Sequence, residues 1–187
     1  MTPLALVRHA DTAWSVQGRI QGRADPPLLK EARIKLPEAC RSMRIVTSPL
    51  ARCVQTAALL GAPEAPREPR LIEMDWGDWQ GETLIELRAR LGADMRENED
   101  RGLDFRPPNG ESPRTVTERV KPWLEEIARE GVPTLAVTHR GVIRAILAVA
   151  SGWDMRGKPP AQLDWHAVHL FLLDALGRPT VARLNLR

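Results

Sequence analysis

The stretch Leu4-Ala5-Leu6-Val7-Arg8-His9-Ala10-Asp11-Thr12 decides how this chain is read. A continuous apolar run bounded by polar residues predicts a buried strand over Leu4 to Val7. Arg8 and His9 then fall where that strand leaves its sheet. Ligands of open α/β sheets bind outside the carboxyl ends of the strands. A cation beside an imidazole at that point therefore fits an anion site that holds a nucleophile or a base. An accidental Arg-His pair is the alternative, and one short motif does not separate the two.

Two further strand ends carry the same kind of residue. Arg44-Ile45-Val46-Thr47 predicts a second strand, followed at once by Ser48-Pro49. Ser favours the N-cap and Pro the first helical position, so a helix is expected there, running to Leu60 with Gly61 as its C-cap. Arg52 then lies in its first turn, beside free helix amides and the positive end of the dipole. Thr134 to Thr138 predicts a third strand, ending in His139-Arg140-Gly141, with an apolar helix over Val142 to Ala150. If the three strands are parallel neighbours, Arg8-His9, Ser48…Arg52 and Thr138-His139 meet on one edge. Two histidines, two arginines and helix N-termini match the charge of a phosphate through charge-assisted, partly bidentate hydrogen bonds.

The rest of the chain fits one three-layer α/β/α domain over residues 1–187 with a mixed, mostly parallel sheet. A long polar loop, Asp11 to Pro27, carries Gly18-Arg19-Ile20-Gln21-Gly22-Arg23. Leu28 to Arg41 reads as a modest helix interrupted by Pro37, and Glu82 to Leu91 as a second. An excursion of about 73–112 is expected over the active edge, with Gly92 to Gly110 polar. Ser112-Pro113 opens a helix to about Glu130, whose apolar face is Val116, Val120, Trp123, Leu124, Ile127 and Ala128. His166 to Leu173 and Thr180 to Leu186 predict a closing antiparallel hairpin.

Composition excludes several classes. With 187 residues, 43% hydrophobic and 27% charged, the chain buries a core without disulfides or metal. The formal charge of +3 comes mostly from arginine, since Lys30, Lys35, Lys121 and Lys158 are the only lysines. Scattered arginines, two Phe and no Tyr argue against nucleic-acid binding. Cys40 and Cys53 lack metal-site spacing. Neither a signal peptide nor a membrane span is expected, and a cytoplasmic protein, monomeric or homodimeric, follows as the default.

The residues reached so far resemble the histidine phosphatase superfamily, also called phosphoglycerate-mutase-like. The resemblance lies in Val7 to Thr12, Gly18 to Gly22, Ser48 to Arg52 with Gln55-Thr56-Ala57, Leu71-Ile72-Glu73 with Gly77 and Trp79, Gly110-Glu111-Ser112, and Val137 to Arg144. It implies that His9 takes the phosphoryl group, that Arg8, Arg52 and a protonated His139 hold the phosphate, and that Glu73 donates the proton. Ser15, Gln21, Gly22 and Arg140 are further candidates for the substrate pocket. Asp75, Asp78 and Glu82 are alternative acids near Glu73. Trp76 and Trp79 are expected to pack the loop, His166 and His169 to be structural or exposed, and Arg144 to pair with an acid.

The chain departs from the family pattern at four places. Ala10 replaces the usual Gly, a strain of about 1 kcal/mol if the position needs positive φ. Ser15 stands where Asn is frequent, Gln80 where many phosphatases have Glu, and Arg140 where Gly is common. Arg140 hints at a second anionic group on the substrate. The function implied is a phosphomonoesterase, without cofactor or metal, that acts on a small phosphorylated metabolite and releases inorganic phosphate. A phosphoglycerate-type mutase, a nucleotide-loop (α-ribazole-type) phosphatase, a phosphohistidine-protein phosphatase and a non-catalytic phospho-ligand module are the alternatives. A short chain with a polar excursion favours the phosphatase over the mutase.

Overall fold

Alternation along the first strand sets the layers. In a computed structural model that describes all residues 1–187, β1 spans Thr2–Arg8. Leu4 and Leu6 join one core cluster, while Ala5 and Val7 join another on the opposite face, as the two-residue period of a strand requires. The larger cluster takes its helical residues from α5 and α6, and the smaller takes Cys53 and Ala57 from α2.

The elements follow in chain order. After β1 come a single turn α1 (Ala13–Val16), β2 (Arg44–Thr47) and α2 (Ala51–Leu59). The excursion holds α3 (Leu84–Leu91) and α4 (Ala93–Glu99). Then come α5 (Pro113–Glu130), β3 (Thr134–Thr138), α6 (Arg140–Ser151), β4 (Val168–Leu173) and β5 (Pro179–Leu186). The five-stranded sheet has the order β2-β3-β1-β4-β5. β3 lies parallel between β2 and β1, with Arg8 opposite Thr138 and Thr47 opposite Val137. The carboxyl ends of all three therefore lie side by side. β4 and β5 extend the sheet in antiparallel fashion.

Two local expectations need correction. Leu28 to Arg41 forms no α-helix, only a 3-10 turn over Glu38–Cys40. Ile34 and Leu36 pack against the smaller core cluster from irregular chain. Within the excursion, Gly92 to Gly110 is polar but ordered. It contains α4 and a further 3-10 turn, and Met95 closes a small apolar cluster with Ile20, Trp79 and Leu87. Finally, α2 begins at Ala51, with Leu50 and not Ser48 at the cap. The same Ser-Pro signal at Ser112 does cap α5, its side chain accepting from the Thr115 amide. No helix is long and apolar enough to cross a membrane.

Candidate active site

β1 delivers Arg8 and His9 to the active edge. His9 is 4% exposed. Its Nδ1 lies 2.8 Å from the Ala10 carbonyl oxygen. A carbonyl only accepts, so Nδ1 carries the hydrogen and Nε2 keeps its lone pair in the neutral ring. Burial, then the charges of Arg8 and Arg52, hold the imidazole well below its ordinary pKa. The Ala10 amide donates to Thr56 Oγ1 (2.9 Å), which itself donates to the Arg52 carbonyl (2.7 Å). Ala10 is absent from the positive-φ positions, so the feared strain does not arise.

Arg52 is fully buried, and its charge is held by backbone and one acid. Nη1 donates to the Ala24 carbonyl (2.7 Å) and Asp25 Oδ1 (3.2 Å), and Nη2 to the Gly22 carbonyl (2.7 Å). The Asp25 carboxylate also accepts from the Ala51 (2.5 Å) and Arg52 (3.3 Å) amides, giving α2 its cap from 26 residues upstream. Sequence reading missed Asp25, because nothing local marks an acid in a loop as the cap of a distant helix.

Arg52 Nη2 also lies 3.2 Å from His139 Nδ1, and His139 Nε2 lies 2.7 Å from Ser48 Oγ. A guanidinium only donates, so Nδ1 accepts and Nε2–H donates to Ser48. His139 is thus neutral here, not protonated as the resemblance implied. Burial and then Arg52 push its pKa well below the ordinary value. The hydroxyl expected to cap α2 serves this ring instead. The His9 and His139 rings are 5.4 Å apart.

Glu73 approaches from the excursion and meets the first turn of α6. Oε1 accepts from the Met74 (2.8 Å) and Gly141 (3.1 Å) amides, and Oε2 lies 3.3 Å from the latter. Burial raises its pKa despite those bonds. A Cβ on Gly141 would sit 2.4 Å from Oε1, so this approach requires glycine. The alternative acids are engaged elsewhere: Asp75 with Arg23, Asp78 with Asn109 and Glu82 with Arg90.

His9, Arg52 and Glu73 line a cavity of about 600 Å³ together with Arg8, Ser15, Gln21, Gly22, Arg140 and Arg144, while His139 lies buried behind it. Ser15 Oγ is occupied within its own turn, by Asp11 Oδ1 and the Thr12 backbone. Gln21 Oε1 accepts from Thr12 Oγ1 (3.0 Å). Gly22 adopts φ +53° and packs against Gln80, whose Oε1 its Cβ would meet at 2.6 Å. Gln80 Oε1 accepts from the Arg23 (2.6 Å) and Ala24 (2.7 Å) amides, while Nε2 donates to the Gly77 carbonyl (3.1 Å). Trp79 packs in the small apolar cluster as expected, whereas Trp76 also faces the cavity. His166 is exposed and His169 buried.

Arg8 retains free donors. Its Nε is buried without an acceptor, as is that of Arg52, and burial followed by Arg140 lowers its pKa to about 10. No three His, Cys, Asp or Glu side chains are grouped so as to hold a metal ion. The arrangement offers a neutral imidazole lone pair, unsatisfied guanidinium donors and a carboxyl group whose pKa burial raises. Such a set can transfer a phosphoryl group to nitrogen and a proton to the departing oxygen.

Known proteins share this framework. The sequence profile of the histidine phosphatase superfamily (branch 1) matches residues 4–187. Phosphoserine phosphatase 1 of Hydrogenobacter thermophilus is 33% identical over 168 residues, covering 83% of this chain and 79% of that protein. A 2,3-bisphosphoglycerate-dependent phosphoglycerate mutase of Methylobacterium radiotolerans is 32% identical over 200 residues, covering 97% and 89%. Among solved structures, a mycobacterial glucosyl-3-phosphoglycerate phosphatase complexed with VO3 superposes with a TM-score of 0.78 at 25% identity, covering 100% of both chains.

Proposed function

We propose a metal-independent phosphomonoesterase activity for this protein, which belongs to the histidine phosphatase superfamily. The reading assigns His9 as nucleophile. Nε2 attacks phosphorus as the ester P–O bond breaks, giving phosphohistidine and splitting one hard step into two. Glu73 protonates the departing alkoxide. Its carboxylate then takes a proton from water, which attacks phosphorus, breaks the P–N bond and releases inorganic phosphate. Arg8 and Arg52 offset charge on the equatorial oxygens, the role a metal plays in other phosphoryl transfers, while neutral His139 positions Arg52 through Nδ1. The 73–112 excursion acts with the sheet edge as one catalytic unit.

The observation that carries the reading is geometric: one cavity holds His9, whose Nδ1 is tied to the Ala10 carbonyl so that Nε2 keeps its lone pair, and Glu73, held by the Gly141 amide. Burial and the neighbouring arginines lower the pKa of His9, and burial raises that of Glu73, directions that suit an imidazole nucleophile and a carboxyl proton donor. The cavity volume of about 600 Å³ favours a metabolite over a protein-borne phosphohistidine.

The test is phosphate release from p-nitrophenyl phosphate and a panel of phosphorylated metabolites, with and without chelator. Release that survives chelation and disappears in His9→Ala is expected, together with an acid-labile phosphoryl label on the wild type only. Undiminished turnover by His9→Ala would overturn the mechanism. The mutase relatives favour a second reading, phosphoglycerate isomerisation. Isomerisation without phosphate release would establish that reading in place of the first.

A further inference from the structure

We propose that Arg140 and Arg144 form a second anion subsite, so that the preferred substrate is a phosphomonoester whose organic part carries another anionic group, a carboxylate or a second phosphate. The inference rests on the phosphomonoesterase reading for its catalytic meaning and on the cavity itself for its chemistry.

Six arginines line the cavity: Arg8, Arg19, Arg52, Arg88, Arg140 and Arg144. Three have partners. Arg52 binds Asp25, Arg88 is paired with Glu99, and Arg19 donates to the Gly81 carbonyl and Gln17. Arg8, Arg140 and Arg144 have neither an acid nor a hydrogen-bond acceptor. Arg8, at the end of β1 beside His9, is accounted for by the transferring phosphoryl group. That leaves two cations on α6 with no assigned counterion. They stand four residues apart, hence one above the other on the same helix face.

Both guanidinium groups are seated on an indole. Arg140 lies 4.5 Å from the centroid of Trp165, and Arg144 5.1 Å from that of Trp153. Stacking fixes the plane of a guanidinium while leaving its N–H edge free, the arrangement suited to planar, bidentate capture of an oxyanion. The arrangement also carries a standing cost. Burial lowers the pKa of both arginines, and the charge of Arg140 further opposes that of Arg144. The acid that favours charged Arg140 is Glu73, which is already bound to the Met74 and Gly141 amides. An incoming anion relieves both penalties. The expectation that Arg144 pairs with an acid is therefore not met, and the cavity is large enough to enclose a whole small molecule bearing two anionic ends.

Binding to the His9→Ala protein, measured by titration calorimetry, tests the proposal without requiring turnover. Two matched pairs are compared: 3-phosphoglycerate with glycerol 3-phosphate, and glucose 1,6-bisphosphate with glucose 6-phosphate. The member with the extra anion is expected to bind at least about tenfold more tightly in one pair or both, and the pair that responds identifies the anion. Adding Arg140→Gln or Arg144→Gln is expected to bring that ratio toward one, and the ratio cancels any loss common to both ligands. Equal affinities within both pairs, or a preference that survives both substitutions, overturn the subsite. Failure of the catalytic reading registers separately, as absence of phosphate release by the wild type.

Discussion

Replacing Gly141 by alanine probes the acid end of the mechanism. The added Cβ would sit 2.4 Å from Glu73 Oε1, 3.1 Å from Met74 Cβ and 3.3 Å from Glu73 Cδ. The first distance is about 1 Å short of an ordinary contact, and the neighbour that must yield is the carboxyl group itself. A displacement of about 1 Å at a reacting group costs on the order of 10²-fold in rate. Stability should hardly change, because alanine gains about 1 kcal/mol over glycine in a helix, which offsets the local strain. The loss should depend on the leaving group. An alkyl phosphate needs the proton from Glu73, whereas p-nitrophenolate departs with little help. Steady-state kcat/KM for glycerol 3-phosphate is therefore expected to fall about 100-fold, that for p-nitrophenyl phosphate far less, and Tm to stay within a few degrees. Equal losses on both substrates, or full activity on the alkyl ester, would refute the assignment of Glu73 as the acid positioned by the α6 amide.

Three further outcomes follow from the same geometry. His9 and His139 have folded pKa values below the unfolded 6.5, so their contribution to stability is complete above about pH 6.5 and is lost as pH falls through it. Each contributes a slope of about 1.4 kcal/mol per pH unit, opposed by Glu73, whose raised pKa acts in the other direction. Urea unfolding between pH 7 and 5 should show a net loss on acidification, smaller in His9→Gln; a gain would contradict the neutral, buried pair. Asp25→Ala removes the cap of α2 and the one acid on Arg52. It should lower stability by about 1–2 kcal/mol and raise KM, and an unchanged KM would separate Asp25 from the phosphate pocket. Inorganic phosphate should raise Tm, because the unsatisfied Nε–H groups of Arg8 and Arg52 gain an acceptor. Saturation at 100 times Kd corresponds to about 2.7 kcal/mol, and Arg8→Gln should abolish most of it.

The site edge was legible because each of its strands is an apolar run that stops at a functional residue. Leu4 to Val7, Ile45 to Thr47 and Leu135 to Thr138 need no partner information to be placed. Parallel neighbours then force Arg8, Ser48 and His139 together. What sequence reasoning missed depends on contacts between distant segments. Ser48-Pro49 and Ser112-Pro113 read alike, yet only the second caps a helix. At the first, the His139 ring takes the hydroxyl and Asp25 supplies the cap. The protonation of His139 was misread for the same reason, since it is set by an Arg52 donor 87 residues away in sequence. Leu28 to Arg41 has apolar residues enough for a helix, but its chain pairs with the loop that follows β1, as the Leu29 amide on the Asp11 carbonyl illustrates.

The amide of Gln80 joins two parts of the molecule that evolution would otherwise be free to vary separately. Through Gly77 it is anchored in the excursion. Through Arg23 and Ala24 it holds the segment whose carbonyls grip Arg52. A glutamate there would accept the same two amides but would turn a second oxygen toward the Gly77 carbonyl in place of a donor. Redesign of this enzyme for a new substrate has to respect that joint. Changes in the excursion that leave Gln80 in place can reshape the pocket, while changes that move it will also move Arg52.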